Sequence, residues 1–167
     1  MKLITKKGID EFCKKYKAKL SQGSPTTPHL QFHFPHIDDI NKVIWDCRDN
    51  KANYHSNNGS ITFEQKELVK ILPETCFEDK RVWAGRQQFY LCEKMDHQHL
   101  SNTIGYLEVL LTLKRISKKD SEDYMSKLAE SIVPELEERF KGEILPYKPY
   151  FPYEEEMYKE FKKLQKK

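Results

Sequence analysis

Apolar positions along the chain follow two spacings, and each spacing predicts an element. Ile9, Phe12, Tyr16 and Leu20 recur every three to four residues with lysines between them, which predicts an amphipathic helix over 6–20. The run SQGSPTTP (21–28) stops it. In HLQFHF (29–34) the spacing drops to two: Leu30, Phe32 and Phe34 alternate with His29, Gln31 and His33, the pattern of a short strand. Asp38 or Asp39 can cap a second helix to about Arg48, with Ile40, Val43, Ile44 and Cys47 inward. DNKANYHSNNGS (49–60) is polar and Asn-rich, and reads as a mobile surface loop. Thr62 followed by Gln65 fits a capping box for a third helix ending before Pro73.

Beyond residue 80 the pattern shifts. Val82 and Trp83, then Ala-Gly-Arg, then Phe89 to Cys92 predict two short strands around a turn at Gly85. Asp96 can cap a helix whose stripe is Leu100, Ile104, Leu107 and Leu111, with Lys114 and Arg115 at its end. A long helix follows with Tyr124, Leu128, Ile132, Leu136 and Phe140 on one face, and Pro134 predicts a kink or break near Val133. The short loop between these two helices predicts an antiparallel pair. ILPYKPYFPY (144–153) alternates Pro with Tyr and Phe and predicts an extended strap, followed by a last helix over 154–165. The fold class expected is α+β: a mainly helical single domain with a small antiparallel β element. Its parts are a helical N-terminal part (about 1–75), a hairpin with a helix pair (about 80–142), and a strap with a C-terminal helix (about 144–167).

Composition narrows the function classes. The net charge of +3 over 167 residues does not suit a strongly basic nucleic-acid binder, and 12% aromatic residues argue against disorder. Charge is local: residues 1–20 hold seven lysines against two acids, and residues 37–79 hold nine acids against five bases. The N-terminus lacks an apolar core for secretion and no run is long enough for a membrane span, so a cytoplasmic setting without membrane contact is expected. There is no GxGxxG, P-loop, GxSxG or HExxH motif. The four cysteines, Cys13, Cys47, Cys76 and Cys92, contain no CxxC pair and read as free, small core residues.

The histidines are the remaining suggestive set. His29 and His33 would sit about 13 Å apart on one strand face, too far to share a small metal ion. His97 and His99 diverge by about 200° on a helix. A single H-x-S tripeptide (His99–Ser101) falls short of the two that a two-histidine phosphoesterase needs. No metal and no cofactor are expected. The candidates that remain are for binding. Tyr147, Tyr150, Phe151 and Tyr153, with Lys148, could stack bases or pack a partner, or strap the chain's own core. His99 and Asn102 share a helix edge, where they could bond the preceding hairpin or a ligand.

The segment WAGRQQFYLCEKMDHQHLSNTIGYL (83–107) resembles a module of small tailed-bacteriophage accessory proteins. These have a Trp/Gly hairpin followed by a helix of the form Met-x-x-x-His-Leu-x-Asn-x-Ile-x-x-Leu. Trp83, Gly85, Leu91, Met95, His99, Leu100, Asn102, Ile104 and Leu107 carry the match. The turn is shorter here, and the basic end is displaced to Lys114 and Arg115. The resemblance implies a phage or prophage protein acting in the host cytoplasm, and no catalytic residue. The function expected is binding of a host protein, with inhibition of a host defence system as one form. Two other readings stand beside it. One is nucleic-acid binding, weak and non-specific, through Lys6, Lys7, Lys14, Lys15, Lys17 and Lys19, with Lys2. The other is a small phosphoesterase or nucleotide-binding protein with a His/Tyr pocket.

Overall fold

The computed structural model describes residues 1–85 and 87–167; Arg86, in the expected turn after Gly85, lies outside them. The fold is α+β, mainly helical, with small antiparallel sheets. The chain forms two compact units, Met1–Lys80 with Ala84–Phe89, and Arg81–Trp83 with Tyr90–Lys167.

The first unit runs β1 (Lys2–Ile4), α1 (Lys6–Tyr16), β2 (Lys19–Gln22), β3 (His29–His33), α2 (Ile37–Asp49), β4 (His55–Asn57), β5 (Ser60–Glu64), a single turn α3 (Gln65–Leu68) and β6 (Phe77–Asp79). Strands β2-β3-β5-β4 form an antiparallel sheet in that order, and β1 pairs with β6. Register puts Leu30 opposite Phe63 and Phe32 opposite Ile61, so these four side chains share the buried face of the sheet. All four are shut off from solvent, together with Phe12, Tyr16, Val43 and Cys47 from the helices. Phe12 packs on Phe32 at 4.0 Å between ring centroids and edge-on to Phe63 at 5.8 Å. Each such ring contributes about 1.5–3 kcal/mol by leaving water. The other sheet face carries His29, Gln31 and His33, as the alternation predicts.

Three local expectations change here. Helix α1 stops at Tyr16 because Lys17 adopts a left-handed conformation (φ 51°), and 19–22 turn into a strand in which Leu20 pairs with Phe32. The polar stretch 49–60 is not all loop. His55–Asn57 pairs with Ser60–Thr62 around Asn58 and Gly59, both at positive φ (45° and 79°), which is the tight hairpin turn that Asn-Gly favours. Thr62 lies in β5 rather than in a capping box, and Gln65 is buried. Gln65 accepts from Ile4 N at 3.0 Å and donates to the carbonyls of Pro25 and Thr27 at 2.7 and 2.8 Å, so its amide joins three segments.

The second unit holds most of the ladder of β7 (Val82–Ala84) with β8 (Phe89–Leu91), then α4 (His97–Thr112), α5 (Lys118–Lys127), α6 (Val133–Phe140) and α7 (Pro152–Gln165). Asp96 caps α4 by accepting from His99 N at 2.7 Å. A π-helical turn over Leu128–Ile132 joins α5 to α6, and Pro134 opens α6, where its missing N–H is harmless. Leu100 and Leu107 of α4 share one core with Leu128, Ile132 and Leu136, and Ile104, Tyr124 and Phe140 pack against it from the edge. Leu111 is only half-buried, and Val109 is buried instead. Among the described residues no helix is long and apolar enough to cross a membrane.

Candidate functional site

The strap 143–151 follows α6 without regular structure, and α4 holds it in place. Side chains on the first turns of that helix bond it at Glu143, Leu145, Pro146 and Lys148. His97 Nε2 lies 2.6 Å from the Glu143 carbonyl, and its ring stacks on Phe140 at 3.9 Å. Ser101 Oγ accepts from Leu145 N at 2.9 Å, and Gln98 donates to the Pro146 carbonyl at 3.2 Å. Asn102, buried, closes a two-bond pair with the Lys148 backbone: Nδ2 donates to its carbonyl at 2.7 Å, and Oδ1 accepts from its N–H at 2.9 Å. The amide thus does for the strap what a neighbouring strand would do. One turn on, Gly105 lets the strap lie against the helix. A Cβ there would stand 2.6 Å from Tyr147 Cβ. The sequence-based expectation that Asn102 ties the preceding hairpin is therefore corrected. It ties the strap, 46 residues on, because the polar face of α4 meets an extended segment whose backbone groups lack a strand partner.

Held this way, the strap walls a cavity of about 490 Å³. Trp83, Tyr106, Tyr147, Tyr150 and Phe151 supply aromatic walls, and Asp96, His99, Asn102, Thr103 and Glu154 supply polar ones. Trp83 is backed by Tyr124 in a stack at 5.7 Å, and Phe151 by Tyr153 in a near-parallel stack at 5.7 Å. His99 meets Tyr90 edge-on at 5.4 Å. Both carboxylates sit at helix starts. Asp96 caps α4, and Glu154 Oε2 accepts from Tyr150 N at 2.8 Å at the start of α7. The Tyr147 hydroxyl is buried without a hydrogen-bond partner. Burial first, and then the Glu154 carboxylate, hold its pKa well above the ordinary phenol range.

The candidate residues thus divide. Tyr147, Tyr150, His99 and Asn102 converge on one cavity, while Tyr153 and Lys148 do not line it. Tyr153 acts from behind as the stacking partner of Phe151, and Lys148 contributes its backbone to Asn102. Trp83, Tyr106, Thr103, Asp96 and Glu154 were missed as site residues. Trp83 was visible as a strand residue and as part of the resemblance over 83–107, Asp96 as a cap, and Tyr106 and Glu154 carry no sequence signal for a shared site.

No family model, curated protein or solved structure matches this chain.

Elsewhere the side chains serve structure. Cys47, Cys76 and Cys92 are buried, with Cys13 half-buried. Burial pushes the thiols of Cys47, Cys76 and Cys92 up to about 11, which leaves them protonated and poorly nucleophilic. Among the described residues no group of three or more His, Cys, Asp or Glu is placed to hold a metal ion. Lys6, Lys7, Lys14, Lys15, Lys17 and Lys19 are all exposed on the first unit. Lys7 is 3.9 Å from Glu11 and Lys15 is 3.7 Å from Asp46, so part of that charge is already paired.

Proposed function

We propose that this protein acts by binding, with the cavity of the second unit as its recognition site. The observation that supports this reading is the convergence of five aromatic side chains from β7, α4 and the strap on one concave site, with five polar side chains between them. A volume of about 490 Å³ is within the range of sites that take a small organic group. Tyr150, Phe151 and Tyr153 are more than half exposed beside it, which suits contact with a macromolecule carrying that group. An accessory protein of a tailed phage engaging a host protein, the role implied by the resemblance over 83–107, fits a site of this kind. A phosphoesterase or nucleotide site fits it less well, because Asp96 and Glu154 oppose phosphate and among the described residues no Lys or Arg lines the wall.

The test uses the two tryptophans. Trp45 is exposed on α2 in the first unit, and Trp83 lines the cavity. In a Trp45→Phe chain, Trp83 alone reports. A library of small organic fragments is titrated against its emission, and amide shifts locate each bound fragment. Binders that change Trp83 emission and shift amides around 96–106 and 147–154 support the reading. Fragments that bind only the first unit, with Trp83 silent, would sink it.

A further inference from the structure

We infer that the group this cavity takes is an organic cation, a guanidinium or alkylammonium, borne by a small molecule or by a Lys or Arg side chain; the inference rests on the cavity being the binding site. Charge is the first argument. Asp96 and Glu154 line the wall, and among the described residues no Lys or Arg does. Each carboxylate is already partly engaged: Oδ1 of Asp96 takes the His99 N–H, and Oε2 of Glu154 takes the Tyr150 and Phe151 N–H groups. Backbone donors leave the formal charge in place, and a carboxylate has further lone pairs for a ligand donor.

The rings are the second argument. Aromatic faces attract cations through their quadrupole, Trp most strongly, and the effect grows when the cation leaves water. Trp83 and Phe151 are stacked on Tyr124 and Tyr153, so the walls are held before a ligand arrives. A site that needs no reordering loses less entropy on binding.

The third argument is the Tyr147 hydroxyl. It is buried without a partner, although Tyr147 lines the cavity and its hydroxyl feels the charge of Glu154. A buried, unmet hydroxyl is unfavourable, and its oxygen can accept two hydrogen bonds. Guanidinium and primary ammonium groups bring only donors, and therefore match the carboxylates and the acceptor side of this hydroxyl.

The experiment titrates matched pairs against Trp83 emission in the full-length Trp45→Phe chain. N-acetylarginine amide is compared with N-acetylcitrulline amide, and choline with 3,3-dimethylbutan-1-ol, each pair similar in shape and differing in charge. The cation of at least one pair is expected to bind about tenfold or more tighter than its neutral partner. Glu154→Gln and Asp96→Asn keep their hydrogen-bonding oxygens and remove one charge, so either should weaken the cation about fivefold and leave the neutral compound unchanged. A glycine-rich heptapeptide with one arginine separates the sources. Much tighter binding than the arginine amide places the cation on a partner chain, and equal binding points to a free small cation. Neutral members binding as well as cations in both pairs would overturn the inference and leave the binding site standing. So would fragments that bind there while neither cation does. If neither fragments nor cations bind, both readings fall together.

Discussion

Replacing Asn102 by alanine removes the two hydrogen bonds that hold the strap at Lys148, at 2.7 and 2.9 Å, and a third from Gln98 at 2.8 Å. Gln98 has the Pro146 carbonyl as a second acceptor, so its loss counts little. Each strap bond is worth about 0.5–1.5 kcal/mol net, which gives about 1–3 kcal/mol for the pair. Lys148 is exposed, so water can reach the freed N–H and C=O, and the lower half of that range is expected. Asn102→Asp should cost more than alanine, because an anionic oxygen then faces the Lys148 carbonyl in place of a donor. The direct readout is amide hydrogen exchange. The Lys148 and Leu145 amides should be protected in the native chain by Asn102 and Ser101, and Lys148 should lose that protection in both variants while the core amides of α4 keep theirs. Cavity binding should fall too, because Tyr147 and Tyr150 ride on the same segment. Free exchange of Lys148 in the unmodified chain, or full protection after Asn102→Ala, would refute the clamp.

Gly105→Ala offers a test of sign. Alanine in a helix interior normally stabilises by about 1 kcal/mol over glycine, yet here the added Cβ meets Tyr147 Cβ at 2.6 Å. The root of a side chain cannot swing aside, so net destabilisation of about 1–3 kcal/mol and a changed Trp83 environment are expected from thermal melts and emission. Leu107→Ala, in the core between α4 and the α5–α6 arm, should cost about 2–5 kcal/mol in denaturant unfolding, and an unchanged midpoint would reject that packing. Glu67 is buried and accepts from Lys70 Nζ at 2.7 Å and from Asn53 N at 2.8 Å. The Lys70 bond first, and then the Asn53 N–H, hold its carboxyl below the ordinary range. Its contribution is therefore complete above the unfolded value of about 4.3 and is lost as pH falls through the lower folded value. Acid titration of stability should be shallower in Glu67→Gln than in the native chain below about pH 5.

How much of this was legible along the chain follows the range of the interactions involved. Alternation at 29–34 placed Leu30 and Phe32 inward, and the stripes at 100–107 and 124–140 placed two buried helix faces, because period alone determines which side chains share a surface. Asp96 was readable as a cap and Pro134 as a break, since both act on backbone within one turn. Asn58-Gly59 was equally local, but its polar neighbours masked a hairpin signal that its two positive φ values make plain. Tertiary structure decided the rest. Lys19–Gln22 became a strand because β3 offered an edge, although Leu20 continues the helical spacing of Ile9, Phe12 and Tyr16. Gln65 went inside because its amide bonds two distant segments, at Ile4 and at Pro25–Thr27. Most of all, the cavity exists because an amide on α4 and a backbone 46 residues later satisfy each other, bringing Tyr147 and Glu154 against Trp83, Asp96 and His99. Period and propensity report what a residue does within its own element. A pairing of polar groups across such a separation is determined only when the chain closes on itself.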